Sequence, residues 1–323
     1  MTNIIINSMY HPSSEFIRFI GTQDDFYDFI RIPVKTKSYI FWLPLLAIIF
    51  WGASFIATKY LLDKLTPETI ISMRLILAIS LLLIIALLQK RDFSINLKSH
   101  GYILLLAIIA VFHLWIQVTG LKFTTASNTG WIIGTAPIFM ALLGLFFFKE
   151  KLNVLKVTGI IIATFGLLLL VGNGNPTNID LIKNKGDLLV LASAFTWGIY
   201  SIVNKKISLN YSPVMTILYL FIMMAIIIIP FTVSDSTINS VKTLSGIGWI
   251  AILFLGLLCS GVAYVIWAFA LREMESAKVG AYLYFEPFVT VIAAWILLKE
   301  DITLFMILSG LIITFGVFLV NKD

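Results

Sequence analysis

Residues 130–150 read GWIIGTAPIFMALLGLFFFKE, and residues 280–300 read GAYLYFEPFVTVIAAWILLKE. Laid over one another, the two stretches match at Gly130 and Gly280, at Pro137 and Pro287, and at Lys149-Glu150 and Lys299-Glu300. The correspondence continues outward. Leu121 matches Leu271, and Thr164-Phe165-Gly166 matches Thr314-Phe315-Gly316 at the same spacing. Earlier in each half the spacing is four residues shorter, where Trp51-Gly52 recurs as Trp197-Gly198, Lys59 as Lys205, and Thr66-Pro67 as Ser212-Pro213. An ordered series of this kind marks an internal duplication, with the change of spacing absorbed in a polar loop.

The quoted stretches are apolar almost throughout, and so is the chain. Of 323 residues, 59% are hydrophobic and 12% charged, with a mean hydropathy of +0.99. Soluble domains run at about half apolar and about a quarter charged, so this chain has too little polar surface to cover a globule in water. Apolar runs near 39–62, 67–89, 101–121, 124–148, 154–171, 187–207, 213–233, 245–271, 277–298 and 303–320 predict ten helices. Most have the length needed to cross about 30 Å of hydrocarbon. The polar interruption from Gly172-Asn173-Gly174-Asn175-Pro176 to Gly186 divides them five and five. The expected organisation is a disordered or interfacial tail at 1–38, a first five-helix repeat at 39–172, a linker at 173–186 and a second repeat at 187–323. The fold class is therefore an all-α membrane protein of ten transmembrane helices. Because five is odd, the second repeat enters the membrane opposite to the first, an inverted architecture common among transporters.

Loop charges set the expected orientation. With the N-terminus inside, fifteen of the 23 Lys and Arg residues fall on inner segments and seven on outer ones. That excess predicts both termini on the cytoplasmic side of the cell membrane. The net charge of +6 comes from residues placed singly or in pairs, without the dense basic patch of a nucleic-acid surface. The single cysteine, Cys259, and His11, His100 and His113 supply no zinc-ligand spacing, and no cofactor is expected. Gly246-Ile247-Gly248-Trp249-Ile250-Ala251 fits a loose dinucleotide fingerprint but opens an apolar span with no strand before it.

Trp51-Gly52-Ala53-Ser54-Phe55 in the first span, and Ala136-Pro137 ahead of Leu145-Phe146-Phe147-Phe148-Lys149-Glu150 in the fourth, resemble the drug/metabolite transporter superfamily. So do Glu286-Pro287 and Ala294-Trp295-Ile296-Leu297-Leu298-Lys299-Glu300 in the second half. With the five-plus-five duplication, the likeness is to its ten-helix EamA-type members and covers residues 39–320. The resemblance implies a pseudo-two-fold bundle with a central cavity and, often, export of amino acids or other small metabolites.

An ionisable side chain in mid-membrane costs about 3 kcal/mol or more and is a functional candidate by default. Glu286 is the sharpest case, beside a proline expected to kink or break its helix. It is read as a proton-coupling group or an anchor for a substrate amine. His113, with Gln117 one turn on, suits proton transfer. Stripes of aromatics and small hydroxyls suit a cavity for an amphipathic metabolite: Trp51, Ser54, Phe55 and Thr58; Asn128, Trp131 and Thr135; Ser193, Trp197 and Tyr200. Tyr264 with Trp267, and Tyr282 one turn before Glu286, extend the set. Arg74, inside the second span, is read either as snorkelling or as a partner for a substrate carboxylate, and Lys59 and Lys205 as snorkelling.

These readings predict a secondary transporter, not an enzyme, that exports a small-molecule metabolite by alternating access. Its cavity is lined by the first, third, fourth, sixth, eighth and ninth spans. Proton coupling through Glu286 is the first expectation and uncoupled facilitated efflux the second. The bilayer and protons are the remaining partners expected; nucleic acid is not. A polytopic membrane enzyme or a non-transporting receptor is the rival of another class.

Overall fold

The computed structural model describes residues 42–93, 97–171, 182, 184–208, 211–232, 234–298 and 304–322. The expectations for residues 1–38, for most of the linker and for Lys299-Glu300 lie outside them. The described residues form helices and no strand. They are α1 (Leu43–Leu62), α2 (Pro67–Leu88), α3 (Leu97–Phe123), α4 (Ala126–Ile133), α5 (Ala136–Phe148), α6 (Val154–Val171), α7 (Lys185–Ser208) and α8 (Pro213–Ile228). After them come α9 (Asp235–Lys242), α10 (Gly246–Leu253), a π-helical stretch (Phe254–Val262), α11 (Ala263–Glu273), α12 (Ser276–Ala281), a 3-10 turn (Tyr282–Phe285), α13 (Glu286–Leu298) and α14 (Leu304–Asn321).

Local chemistry sets the starts. The Thr66 hydroxyl accepts from Thr69 N ahead of Pro67, Thr125 accepts from Asn128 N, and Ser245 accepts from Gly248 N. Each satisfies an amide that the helix itself leaves without a partner. Proline in the first turn loses nothing, since its missing N–H would have been unpaired there. Among the described residues, eight helical runs are long and apolar enough to cross a bilayer, and two shorter apolar helices lie at Val154–Leu170 and Ile307–Asn321. Large apolar side chains such as Leu88, Phe146 and Phe231 face outward, as lipid-facing positions require.

Three of the predicted runs are interrupted within their length, and the run at 213–233 ends in a 3-10 turn (Ile229–Phe231). The run at 124–148 divides at Gly134-Thr135 into α4 and α5. The run at 277–298 passes through the 3-10 turn before Glu286, and the run at 245–271 contains the π stretch. Pro137 and Pro287 explain the first two, because each lacks an N–H and its ring crowds the carbonyl four residues back.

Packing in one half is matched in the other. α7 lies against α3 as α1 lies against α11 and the π stretch, and α4 and α5 lie on α7 as α13 lies on α1. α2 pairs with α8, and α6 with α14. α6 and α14 approach closely at glycine: a Cβ on Gly159 would lie 2.6 Å from the Gly316 carbonyl oxygen, and one on Gly316 would lie 2.7 Å from the Gly159 carbonyl oxygen. Any side chain there would force the helices apart.

The two matched lysines cap matched helix ends. Lys59 Nζ donates to the carbonyls of Leu121 (2.9 Å) and Thr124 (2.6 Å) after α3. Lys205 Nζ donates to the Met274 carbonyl (2.8 Å) after α11. Neither lysine is left to snorkel. Beside Lys59, Asp187 at the start of α7 accepts from Thr124 Oγ1 (2.5 Å) and Asn128 Nδ2 (2.6 Å). At about 1.5 Å per residue, the lysine clusters therefore stand about 27 Å apart, at opposite ends of α7. Trp51 meets Trp197 midway, so α1 and α7 run in opposite directions.

The Lys205 cluster holds a buried ion pair. Lys149 adopts a left-handed conformation (φ 53°) at the end of α5, which turns Glu150 back under the helix. Glu150 Oε1 lies 2.8 Å from Lys205 Nζ and accepts from Ser276 N, while Oε2 accepts from Ala277 N. Burial alone would push the Glu150 carboxyl up, but the Lys205 ammonium and the Ser276 amide more than offset it and hold it below the ordinary carboxylate value. Such a group stabilises the fold above the unfolded value of 4.5, and that contribution is lost as pH falls through the lower folded value. Removing one partner strands the other, which costs about 3–5 kcal/mol. Lys205→Met and Glu150→Gln should each lower the thermal midpoint in detergent, and the double variant should lose less than the sum. Additive losses would show that the pair is not coupled.

Candidate functional site

Trp51 and Trp197, the duplicated tryptophans, meet edge to face at the centre of the molecule, ring centroids 5.0 Å apart. Tyr264 lies 5.6 Å from Trp51 and 5.7 Å from Trp197. Trp51 Nε1 donates to the Cys259 carbonyl (2.8 Å) in the π stretch. Gly52 lets α13 approach beside this cluster, since a Cβ there would lie 2.8 Å from the Val289 side chain and 3.0 Å from the Glu286 carbonyl oxygen. Thr290 Oγ1 binds both the Gly52 and Glu286 carbonyls (3.1 and 2.9 Å) and ties the two helices together.

The aromatic cluster forms one wall of a partly open cavity of about 30 Å³, room for about two water molecules. Its lining comes from α1 (Trp51, Ser54, Phe55), α2 (Arg74), α3 (His113, Leu114, Gln117), α4 (Ile133), α7 (Trp197), α11 (Tyr264), the 3-10 turn (Leu283) and the start of α13 (Glu286). All six expected spans contribute, and α2 adds a seventh.

Glu286 is 3% exposed, and its Oε2 has no hydrogen-bond partner among the described residues. A buried carboxylate oxygen without a partner is costly in a low-dielectric interior. Trp197 leaves its Nε1–H unpartnered in the same way, so the cavity holds both an acceptor and a donor that no described residue satisfies. His113, 3% exposed, has Nδ1 3.0 Å from the Ser193 carbonyl. A carbonyl can only accept, so Nδ1 carries a proton there.

Glu286, His113, Gln117, Trp197 and Tyr264 therefore share one cavity with Trp51, Ser54 and Phe55, while Asn128, Trp131, Tyr200, Trp267 and Tyr282, with Thr58, Thr135 and Ser193, do not line it. Asn128 sits at the Asp187 end of α7, bound to that carboxylate, because its place at the start of α4 puts it at the mouth of the bundle. Trp131 is half-buried and packs against a separate apolar cluster of α6 and α14 residues that includes Leu167 and Ile313. Tyr200 and Trp267 form a layer behind the lining: Tyr200 stacks on Trp197 at 4.9 Å, and Trp267 Nε1 donates to Ser201 Oγ (3.2 Å). Tyr282 would share a face with Glu286 in an α-helix. In the 3-10 turn residues three apart are eclipsed, so Leu283 takes that place. Arg74, outside the predicted lining, is 4% exposed and faces the cavity, a position that hydropathy alone could not separate from snorkelling. Among the described residues no group of three or more His, Cys, Asp or Glu could hold a metal ion.

The family profile described as the EamA-like transporter family matches residues 37–172 and again 184–322. An uncharacterized transporter of Archaeoglobus fulgidus is 33% identical over 292 residues, covering 88% of this chain and 98% of its own length. A probable amino-acid metabolite efflux pump of Escherichia coli K12 is 28% identical over 286 residues, covering 86% and 93%. One solved structure, described only as the crystal structure of a protein, superposes with a TM-score of 0.69 at 15% identity, covering 88% of this chain and 97% of that one; at that identity it shows the fold alone. With two profile matches spanning nearly the whole described chain, the protein belongs to the EamA-like transporter family and is a multi-pass membrane protein with a transporter's general role.

Proposed function

We propose that the protein is a proton-coupled secondary exporter of amino acids or other small metabolites, working by alternating access. The two inverted five-helix repeats at 39–172 and 187–323 rock about the Trp51–Trp197 contact, and the cavity between them is the transport site. The matched packing of the halves, the opposed directions of α1 and α7 and the matched lysine caps support this architecture. The export of amino acids rests on the printed description of the Escherichia coli relative and on a cavity that mixes aromatic faces with a few polar groups.

The observation that carries the reading is Glu286, a buried carboxyl with an unpartnered oxygen between the two halves. Facing one side of the membrane it takes up a proton, and facing the other it releases the proton in favour of a substrate ammonium. One carboxylate holds one of the two at a time, so proton and substrate are exchanged. At about 30 Å³ the cavity is too small for a metabolite, so a substrate enters only as the halves separate. That separation breaks one of the polar clusters at the two ends of α7.

Two measurements test the proposal. Metabolites carried by the wild type in proteoliposomes should accumulate against their gradient when a pH gradient is imposed. Glu286→Gln should abolish that accumulation while eluting as a folded species. Full gradient-driven transport by Glu286→Gln would remove it as the coupling group, and flux indifferent to pH in the wild type would leave an uncoupled permease. Separately, a fluorescent protein fused after Asp323 should fold and fluoresce on the cytoplasmic side, and a periplasmic phosphatase fused there should be inactive. The opposite pattern would invert the assigned topology.

A further inference from the structure

The cavity has a second charged wall that proton coupling does not use. Arg74 lies two turns into α2, buried, and is one of the residues that line the cavity. Its Nε donates to Ser260 Oγ (3.1 Å). Ser260 belongs to the π stretch, and its hydroxyl donates in turn to the Leu255 carbonyl (2.9 Å), five residues back. Single π turns are frequent at functional sites; here the widened turn turns a hydroxyl and the Cys259 carbonyl toward the cavity wall, where Arg74 and Trp51 bind them. Ser260 thus fixes one edge of the guanidinium. The four N–H groups on the Nη atoms remain in their rigid planar fork.

No carboxylate among the described residues pairs with Arg74. Glu286 lines the same cavity, yet the two groups form no ion pair across it. A cation and a carboxyl group therefore share one cavity, each without a counter-charge among the described residues, although a low-dielectric interior demands one. A ligand carrying both charges would satisfy both, which a simple amine or a simple acid cannot do.

We propose that Arg74 is the residue that recognises a substrate carboxylate, through a bidentate fork, while Glu286 holds the ammonium, so that the site selects small zwitterions of the α-amino-acid class. The substrate side chain then meets Trp51, Trp197 and Tyr264. Ser260 is a positioning residue that acts only through Arg74. This inference rests on reading the cavity as the transport site.

Counterflow in proteoliposomes of the full-length protein tests it. The probes are labelled leucine, threonine and phenylalanine, each run against the unlabelled amino acid, its decarboxylated amine and its deaminated acid. The amino acids should drive exchange, and either truncated analogue should be at least about tenfold weaker, the scale of one lost charge-assisted pair. Arg74→Lys keeps the charge but loses the fork, so it should raise KM about tenfold with little change in kcat. Ser260→Ala should raise KM by less, and Ser260→Thr should restore it. Each variant's thermal midpoint reports on folding. An amine exchanging as well as its amino acid, or Arg74→Lys matching the wild type, would overturn the assignment. If none of the probes is carried but comparison of culture media reveals another exported compound, the zwitterion inference fails and the transport reading stands. If no compound is exported, both fail.

Discussion

Hydrocarbon neither donates nor accepts a hydrogen bond, so every polar atom carried into a bilayer must find its partner inside the protein. In this chain the solutions are local and specific. Lys59 and Lys205 donate into carbonyls left open where helices end. Thr290 serves two carbonyls on different helices, and Trp51 donates to a carbonyl turned outward by the π stretch. Several neutral hydroxyls and amides also lack a partner, among them Ser72 and Thr119, but Glu286 contributes the one carboxylate oxygen among the unpartnered buried atoms described. A hydroxyl without a partner is a modest cost, whereas a carboxylate without one is a large cost. That difference makes Glu286 the centre of the functional reading.

The two polar clusters bear on how the halves can move. One gathers Lys59, Thr124, Asn128 and Asp187, and the other Lys205, Glu150 and the first amides of α12. Each joins the end of one helix to the start of another and draws members from both halves. In the alternating-access reading, opening either end means breaking one cluster while the other holds. The aromatic contact between them resists shear less than a hydrogen-bond network does, because ring faces and edges can slide without stranding a polar atom. A fulcrum of tryptophans between two polar locks is consistent with that reading.

Much of this was legible in the sequence, and the failures have a common cause. The matched pairs Trp51 and Trp197, and Lys59 and Lys205, pointed to structurally matched positions because duplication preserves both residue and environment. Glu286 stood out because a carboxyl ten residues into an apolar run has few explanations. What hydropathy could not register was the hydrogen-bond period of the backbone. The break at Gly134-Thr135, the π stretch and the turn that exchanged Tyr282 for Leu283 all lie inside runs that remain apolar throughout. Asn128 and Trp131 fall outside the cavity lining because a stripe along one long apolar run spans the start of a short helix. Arg74 has two readings in the sequence, since snorkelling and cavity-facing arginines look alike there, and only Ser260, 186 residues away along the chain, separates them.

The central claim is that the cavity around Glu286 opens in turn to both sides of the membrane. Ser54, a lining residue 6% exposed, reports this when replaced by cysteine in a Cys259→Ala background. A membrane-impermeant maleimide should label that cysteine in right-side-out vesicles and, independently, in inside-out vesicles, with a transported amino acid slowing both reactions. Labelling from one side only, whatever the substrate or pH, would contradict alternating access through this cavity.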